Sequence, residues 1–277
     1  MTITVDPSGQ ACGARVTGCD LSRDLGGGLM SEIREAWLAH KVLAFADQRM
    51  DDDALERFTV AMGGFGEDPF FDPIDGRKNI AAIQREADEK SPLFAESWHS
   101  DWSFLPIPPS GTCLLAVEIP PVGGDTWFSN QVAAFAALPE ARKANLRKLK
   151  GIHSASRGYA PDGLYGDTDK ERSMAIRPSE AARARHTHPL IKTHAETGEE
   201  ALYCSLSYTV GIEGLGDSDA LQLILELQQW CEREEFIYRH RWEPDMLIMW
   251  DNRALNHKAT GGYEGHRREL HRTTIAG

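Results

Sequence analysis

A chain of 277 residues with 41% hydrophobic and 26% charged residues is ordinary in composition for a soluble globular protein and long enough for one large domain or two small ones. Its formal net charge of -12 speaks against nucleic acid and anionic membrane surfaces, which attract basic patches, but not against a small anionic ligand in a locally basic pocket. Five scattered cysteines without a CxxC, no secretory leader and no apolar run approaching a membrane span argue against a disulfide framework, a thiolate zinc site and a transmembrane segment, and a cytoplasmic protein is expected.

In chain order, "GARVTGCDLS" predicts a strand and a turn. "SEIREAWLAH" places Ile33, Ala36 and Trp37 at helical spacing, and the apolar run "KVLAFA" reads as a buried strand. Asp51 to Asp53 can cap a second helix, with Leu55, Phe58 and Met62 on one face. "NIAAIQ" predicts a strand. Residues 85–97, polar with a central proline, read as a mobile loop. "GTCLLAVEI" is a strand ending in the turn "PPVGGDT". Residues 158–187 lack clear periodicity, and a loop of that length inside a compact domain points to a lid. The longest helix is expected to start near Asp217, with Ala220, Leu223, Leu227, Trp230 and Cys231 on one face. Three strand-like runs close the chain: "EFIYRHRW", "MLIMWDN" and "RELHRTTIAG". The pattern predicts an α+β protein with a β-sandwich or jelly-roll core.

"WHSDWSF" holds His99 and Asp101 two positions apart. In an extended segment they would share a face. Two histidines and a carboxylate on one face of a metal characterise non-haem iron oxygenases. An isolated HxD is more often structural, so a distant histidine is needed. "WDNRALNHKATGGYEGHRRELHRTTIAG" supplies His257, then a strand with Arg268 and Arg272 on one face and Arg267 and His271 on the other. A guanidinium row beside an open metal could fork onto an anionic co-substrate. The bland alternative is a basic edge strand kept soluble by its charges.

With these pieces in order, "GARVTGCDLS", "WHSDWSF", "GGDT", "HPLIKTH", "YRHRW", "MWDNR" and "RRELHRTTI", the chain resembles the Fe(II)/2-oxoglutarate-dependent dioxygenases of the TauD/TfdA (taurine and 2,4-dichlorophenoxyacetate) type over nearly its whole length. The resemblance implies one domain over residues 1–277, with a double-stranded β-helix (jelly-roll) core, flanking helices and lid loops at about 85–97 and 158–187. It implies His99, Asp101 and His257 as the metal triad. Arg268 would pair with the distal carboxylate of 2-oxoglutarate, Thr126 would be its hydroxyl partner, and Arg272 would anchor the substrate. It further implies that 2-oxoglutarate and O2 are consumed, that succinate and CO2 are released, and that the chain forms a dimer or tetramer of itself. A hydroxylated carbon bearing sulfonate, sulfate or aryloxy would collapse with C–S or C–O cleavage. The intact Asp101 argues against a halogenase.

The chain departs from the taurine enzymes where they hold the substrate amine. The asparagine four residues before the first metal histidine is replaced by Ala95, "FGEDPFFDP" brings Phe70 and Phe71, and Trp102 stands beside the triad. A buried ammonium without polar partners is costly. The expected substrate is therefore a larger anion, a carboxylate, sulfonate or sulfate with an apolar or aromatic body touching Phe70, Phe71 and Trp102. Core packing is the competing account of those three. The alternatives are a taurine dioxygenase proper, a jelly roll that binds metal or ligand without turnover, and a zinc hydrolase that lacks an evident general base.

Overall fold

The run read as a buried strand, "KVLAFA", and the strand-like run "MLIMWDN" pair with each other at the centre of the structure, a computed structural model that describes residues 2–277. In chain order the first strands are β1 (Thr4–Pro7), β2 (Ala14–Thr17), β3 (Val42–Phe45), β4 (Ala81–Arg85) and β5 (Gly111–Glu118). Then come β6 (Thr126–Asn130), β7 (Lys150–His153), β8 (His186–Pro189), β9 (Ile191–Thr193) and β10 (Glu200–Leu202). The last are β11 (Thr209–Ile212), β12 (Ile237–His240), β13 (Leu247–Asp251), β14 (Leu255–Ala259) and β15 (Arg268–Ile275). The helices are α1 (Gly27–His40), α2 (Asp52–Met62), α3 (Gln131–Ala136), α4 (Glu140–Leu146), α5 (Ser156–Tyr159) and α6 (Asp217–Cys231).

A seven-stranded sheet has the order β1-β2-β3-β13-β5-β15-β4. Alternation along its strands divides the core. Leu43, Phe45, Cys113, Leu115, Leu247 and Met249 point to one face, where Ile33 and Trp37 of α1 and Leu55, Phe58 and Met62 of α2 cover them. Val42, Ala44, Leu114, Ala116, Ile248, Trp250 and Leu270 point to the other, against Phe128, Tyr238 and Leu255 of a second sheet ordered β12-β6-β14. Strands buried on both faces read as continuous apolar runs, which is why they were visible as sequence. Two facing, largely antiparallel sheets with helices outside make the α+β jelly roll that was expected. A third sheet, β11-β7-β8, and the hairpin β9-β10 lie beside it, and α6 packs Ala220, Ile224, Leu227 and Cys231 into their core with α3. Asp51 caps α2 through Ala54 N at 2.8 Å, as its position predicts.

The structure departs from the expectations in four places. His257 follows β13 and a turn, as the sequence has it, but it lies inside a further strand, β14, that the sequence did not announce, hydrogen-bonded across to β6. "LNHKA" carries asparagine, histidine and lysine, and so gives no apolar signal. The HxD segment is not extended: His99 forms an isolated bridge and Asp101 begins a turn. β15 is not an edge strand, because β4 and β5 flank it. Residues 158–187 are not wholly irregular; they include one turn of 3₁₀ helix at Glu180–Arg183 and a bridge from Ile176 to Phe71. Among the described residues no helix is long and apolar enough to cross a membrane.

Candidate active site

His99 and His257 are brought together by backbone. Each donates its amide to the other's carbonyl, at 3.0 and 2.7 Å, which sets their rings 4.3 Å apart. The turn after His99 swings Asp101 under both rings. Its Oδ1 lies 3.6 Å from His99 Nε2 and 3.8 Å from His257 Nε2. One donor atom from each of the three buried residues falls within 4.8 Å of the others. His99 Nδ1 sits 2.8 Å from the Ser97 carbonyl. A carbonyl only accepts, so Nδ1 carries the proton and Nε2 turns its lone pair inward. Burial, reinforced by His99, pushes the His257 imidazole down to about 3. Burial opposes the charge of Asp101, but Arg272 and the two imidazoles outweigh it and hold this carboxyl well below the usual range. Neutral imidazoles and an ionised carboxylate form a donor set that fits Fe(II).

Behind Asp101 runs a hydrogen-bond chain that sequence reasoning missed. Thr112 Oγ1 donates to Asp101 Oδ2 at 2.6 Å, and Asn252 Nδ2 donates to Thr112 Oγ1 at 2.9 Å. Trp250 Nε1 in turn donates to Asn252 Oδ1 at 2.9 Å. Thr112 and Trp250 are cross-strand partners on β5 and β13. The chain occupies Oδ2 and leaves Oδ1 facing the histidines. Loss of such an outer partner typically costs about 10- to 100-fold in metal affinity. Thr112→Val protein is accordingly expected to bind Fe(II) or Co(II) at least about tenfold more weakly while melting cooperatively. A metal titration matching wild type would remove this role.

A second feature of the cleft is a buried cation. Arg267 points outward and meets three carboxylates, Glu86, Glu118 and Glu269. Its neighbour Arg268 points inward, is buried, and has no carboxylate in contact among the described residues. Its Nη2 donates to the Gly124 carbonyl at 3.2 Å, and its Nε has no partner. Burial lowers its pKa from the ordinary arginine value. The "GG" turn is shaped for this approach: Gly123 and Gly124 both hold φ of +70°, and a Cβ on Gly124 would stand 3.3 Å from Arg268 Nε. Thr126, the first residue of β6, lines the same cleft and accepts a hydrogen bond from Trp242 Nε1 at 3.0 Å. A buried guanidinium lacking a counter-charge fits the distal carboxylate of a dicarboxylate whose other end reaches the triad.

The cleft is lined by the triad, Thr126, Arg268 and Arg272, with an aromatic wall of Phe71, Phe94, Trp102, Tyr159 and Tyr208. Trp102 adopts φ of +47°, uncommon for a bulky residue. Its ring lies 4.8 Å from the Arg272 guanidinium and 5.2 Å from Phe71. Phe70 is not among the lining residues; it stacks on Tyr159 at 4.9 Å, one layer back. For Phe70 the core-packing account therefore describes its surroundings. Ala95 does line the cleft. The two loops expected as a lid are stitched together: Arg172 Nη2 donates to the Pro92 carbonyl at 2.9 Å, Ser91 Oγ to Asp169 Oδ1 at 2.6 Å, and Ser173 N to Glu89 Oε2 at 3.1 Å. Sequence reasoning also missed Tyr159 and Tyr208, which lie in stretches with no motif.

The chain is similar to known proteins over its whole length. Residues 4–274 match the family described as "Taurine catabolism dioxygenase TauD, TfdA family". The chain is 31% identical over 279 residues to an alpha-ketoglutarate-dependent sulfate ester dioxygenase of Pseudomonas putida, covering 100% of this chain and 90% of that protein. It is 32% identical over 289 residues to an alpha-ketoglutarate-dependent 2,4-dichlorophenoxyacetate dioxygenase of Cupriavidus pinatubonensis, covering 99% and 98%. The crystal structure of AAD-2 in complex with Mn(II) and N-oxalylglycine superposes with a TM-score of 0.82 at 28% identity, covering 100% of this chain and 98% of that one.

Proposed function

The chain belongs to the TauD/TfdA family and is an Fe(II)- and 2-oxoglutarate-dependent dioxygenase; from that premise we propose that it oxidises a small anionic organic substrate with an apolar or aromatic body. The observation that carries the proposal is the shared cleft: a donor triad, a buried cation without a carboxylate, and an aromatic wall around a second cation. The family match over residues 4–274 supports one dioxygenase domain spanning residues 1–277.

In this reading His99, Asp101 and His257 hold the iron. Arg268 binds the far carboxylate of 2-oxoglutarate, and Thr126, set by Trp242, offers its hydroxyl to the same group. When bound, iron and 2-oxoglutarate supply the oxidising power that delivers oxygen from O2 to a substrate C–H bond, with succinate and CO2 as co-products. The chain's own work is positioning and exclusion of water. Thr112 fixes the Asp101 carboxylate, and the Ser97 carbonyl fixes the His99 tautomer. Arg272 faces the head of the substrate, Trp102 and Phe71 hold its body, and the paired loops roof the cleft.

The names of the relatives support sulfate esters and aryloxyalkanoates as the class to try first. The aromatic wall and Ala95 favour these over taurine, whose ammonium would need polar partners. Where the oxidised carbon bears the sulfate or aryloxy oxygen, the hemiacetal-type product breaks its C–O bond.

The test is succinate release under air with Fe(II), 2-oxoglutarate and a panel of aryloxyalkanoates, alkyl sulfates, alkyl sulfonates and taurine. Stimulation by one of the larger anions, absent in His99→Ala protein, is expected. Taurine outperforming every larger anion would overturn the substrate class. Failure to bind 2-oxoglutarate at all would overturn the assignment of the site.

A further inference from the structure

Arg272 is not a free anchor. Its Nη1 donates to Asp68 Oδ2 at 2.5 Å, and its Nη2 lies 3.4 Å from Asp101 Oδ1 without a hydrogen-bonded partner. The guanidinium faces are covered as well, by Trp102 at 4.8 Å and Phe71 at 5.3 Å. Asp68 does not line the cleft; it backs Arg272 from behind, with its other oxygen, Oδ1, buried and unpartnered. One guanidinium thus stands between two carboxylates. Burial raises the Asp68 carboxyl to about 6 against the opposing pull of Arg272, which marks how poorly solvated that charge is.

From this arrangement we infer that Asp68 is a specificity-determining residue of the substrate site, one that offsets part of the charge Arg272 can offer an anion. The inference rests on the proposed function, which places the substrate head at Arg272. With Nη1 engaged by Asp68, the guanidinium keeps its other edge for a substrate anion, and that anion meets the Asp68 charge behind it. Like charge placed close to an anion's seat weakens the hold on its head and so the preference for charge. Selection then falls on the body of the substrate. Anionic heads should then be preferred over isosteric uncharged ones by less than tenfold.

Asp68→Asn keeps an oxygen that accepts from Arg272 Nη1 and removes the charge. The experiment is calorimetry under argon on protein loaded with Co(II) and 2-oxoglutarate, titrated with phenoxyacetate and with its uncharged isostere phenoxyacetamide. In wild type the acid is expected to bind less than tenfold tighter than the amide. In Asp68→Asn the acid should gain about tenfold while the amide changes less than twofold, so their ratio rises. A ratio that stays the same or falls overturns the inference, as does failure of both probes to bind loaded protein. If Asp68→Asn does not fold, the wild-type ratio decides: above tenfold overturns, below supports. Failure of the protein to take up Co(II) and 2-oxoglutarate is read before any titration, and it sinks the site assignment instead.

Discussion

Asp101→Ala protein is expected to release succinate at roughly a thousandth of the wild-type rate, equivalent to about 4 kcal/mol. Asp101 is the only anionic donor of the triad. Without it a dication would face two neutral imidazoles and the Arg272 guanidinium, which now lies 3.4 Å from Asp101 Oδ1. The substitution therefore removes an attraction and exposes a repulsion at once. Metal content after dialysis, measured beside succinate release, separates loss of the ion from misfolding, which a melting curve reports. A variant that keeps its iron and more than a tenth of the activity would remove Asp101 from the metal site. Asp101→Asn, which keeps the shape and loses the charge, is expected to fall almost as far.

Arg268→Met has a two-sided outcome, and that makes it the sharper test of the co-substrate seat. The KM for 2-oxoglutarate should rise at least about a hundredfold, the loss of a charge-assisted pair worth about 3 kcal/mol. The unliganded protein should be no less stable: methionine, of similar length, fills the space without the desolvation cost of a buried, carboxylate-free cation. Urea midpoints without ligand and steady-state kinetics with varied 2-oxoglutarate read the two sides. An unchanged KM would mean that Arg268 does not hold the co-substrate. A large drop in stability would mean that the guanidinium is a structural group after all.

The legibility of the chain follows from what each segment packs against. Strands β3, β5 and β13 lie between two cores and present apolar side chains on both faces, so "KVLAFA", "GTCLLAVEI" and "MLIMWDN" announced themselves. Helices α1 and α2 were readable because one stripe faces the sheet and Asp51 caps the second. β14 was not, since its polar side chains serve the site and its neighbours rather than a core: His257 faces the triad and Asn256 bonds the Cys204 carbonyl. The three metal-binding candidates were legible by type and order, whereas the means of bringing them together, a backbone bridge followed by a turn, was not. The roles of Thr112, Asn252 and Asp68 were not legible in the sequence, even with Asn252 inside "MWDNR", because their importance lies in contacts between strands and loops far apart along the chain. Phe70 and Phe71 are adjacent and alike as letters, and only the fold decides that Phe71 meets the cleft while Phe70 stacks behind it.

The two inward arginines share one strand. Arg268 and Arg272 lie four residues apart on β15, which hydrogen bonds hold to β4 on one side and β5 on the other. At about 3.3 Å per residue their Cα atoms are separated by about 13 Å. If the proposed roles hold, that strand is a ruler laid between the co-substrate and the substrate. Its length is set by the backbone, and β4 pairs with it continuously from Arg268 to Arg272. Molecules of different length would then be measured against a fixed scale, with the loops above the strand facing the longer or shorter body.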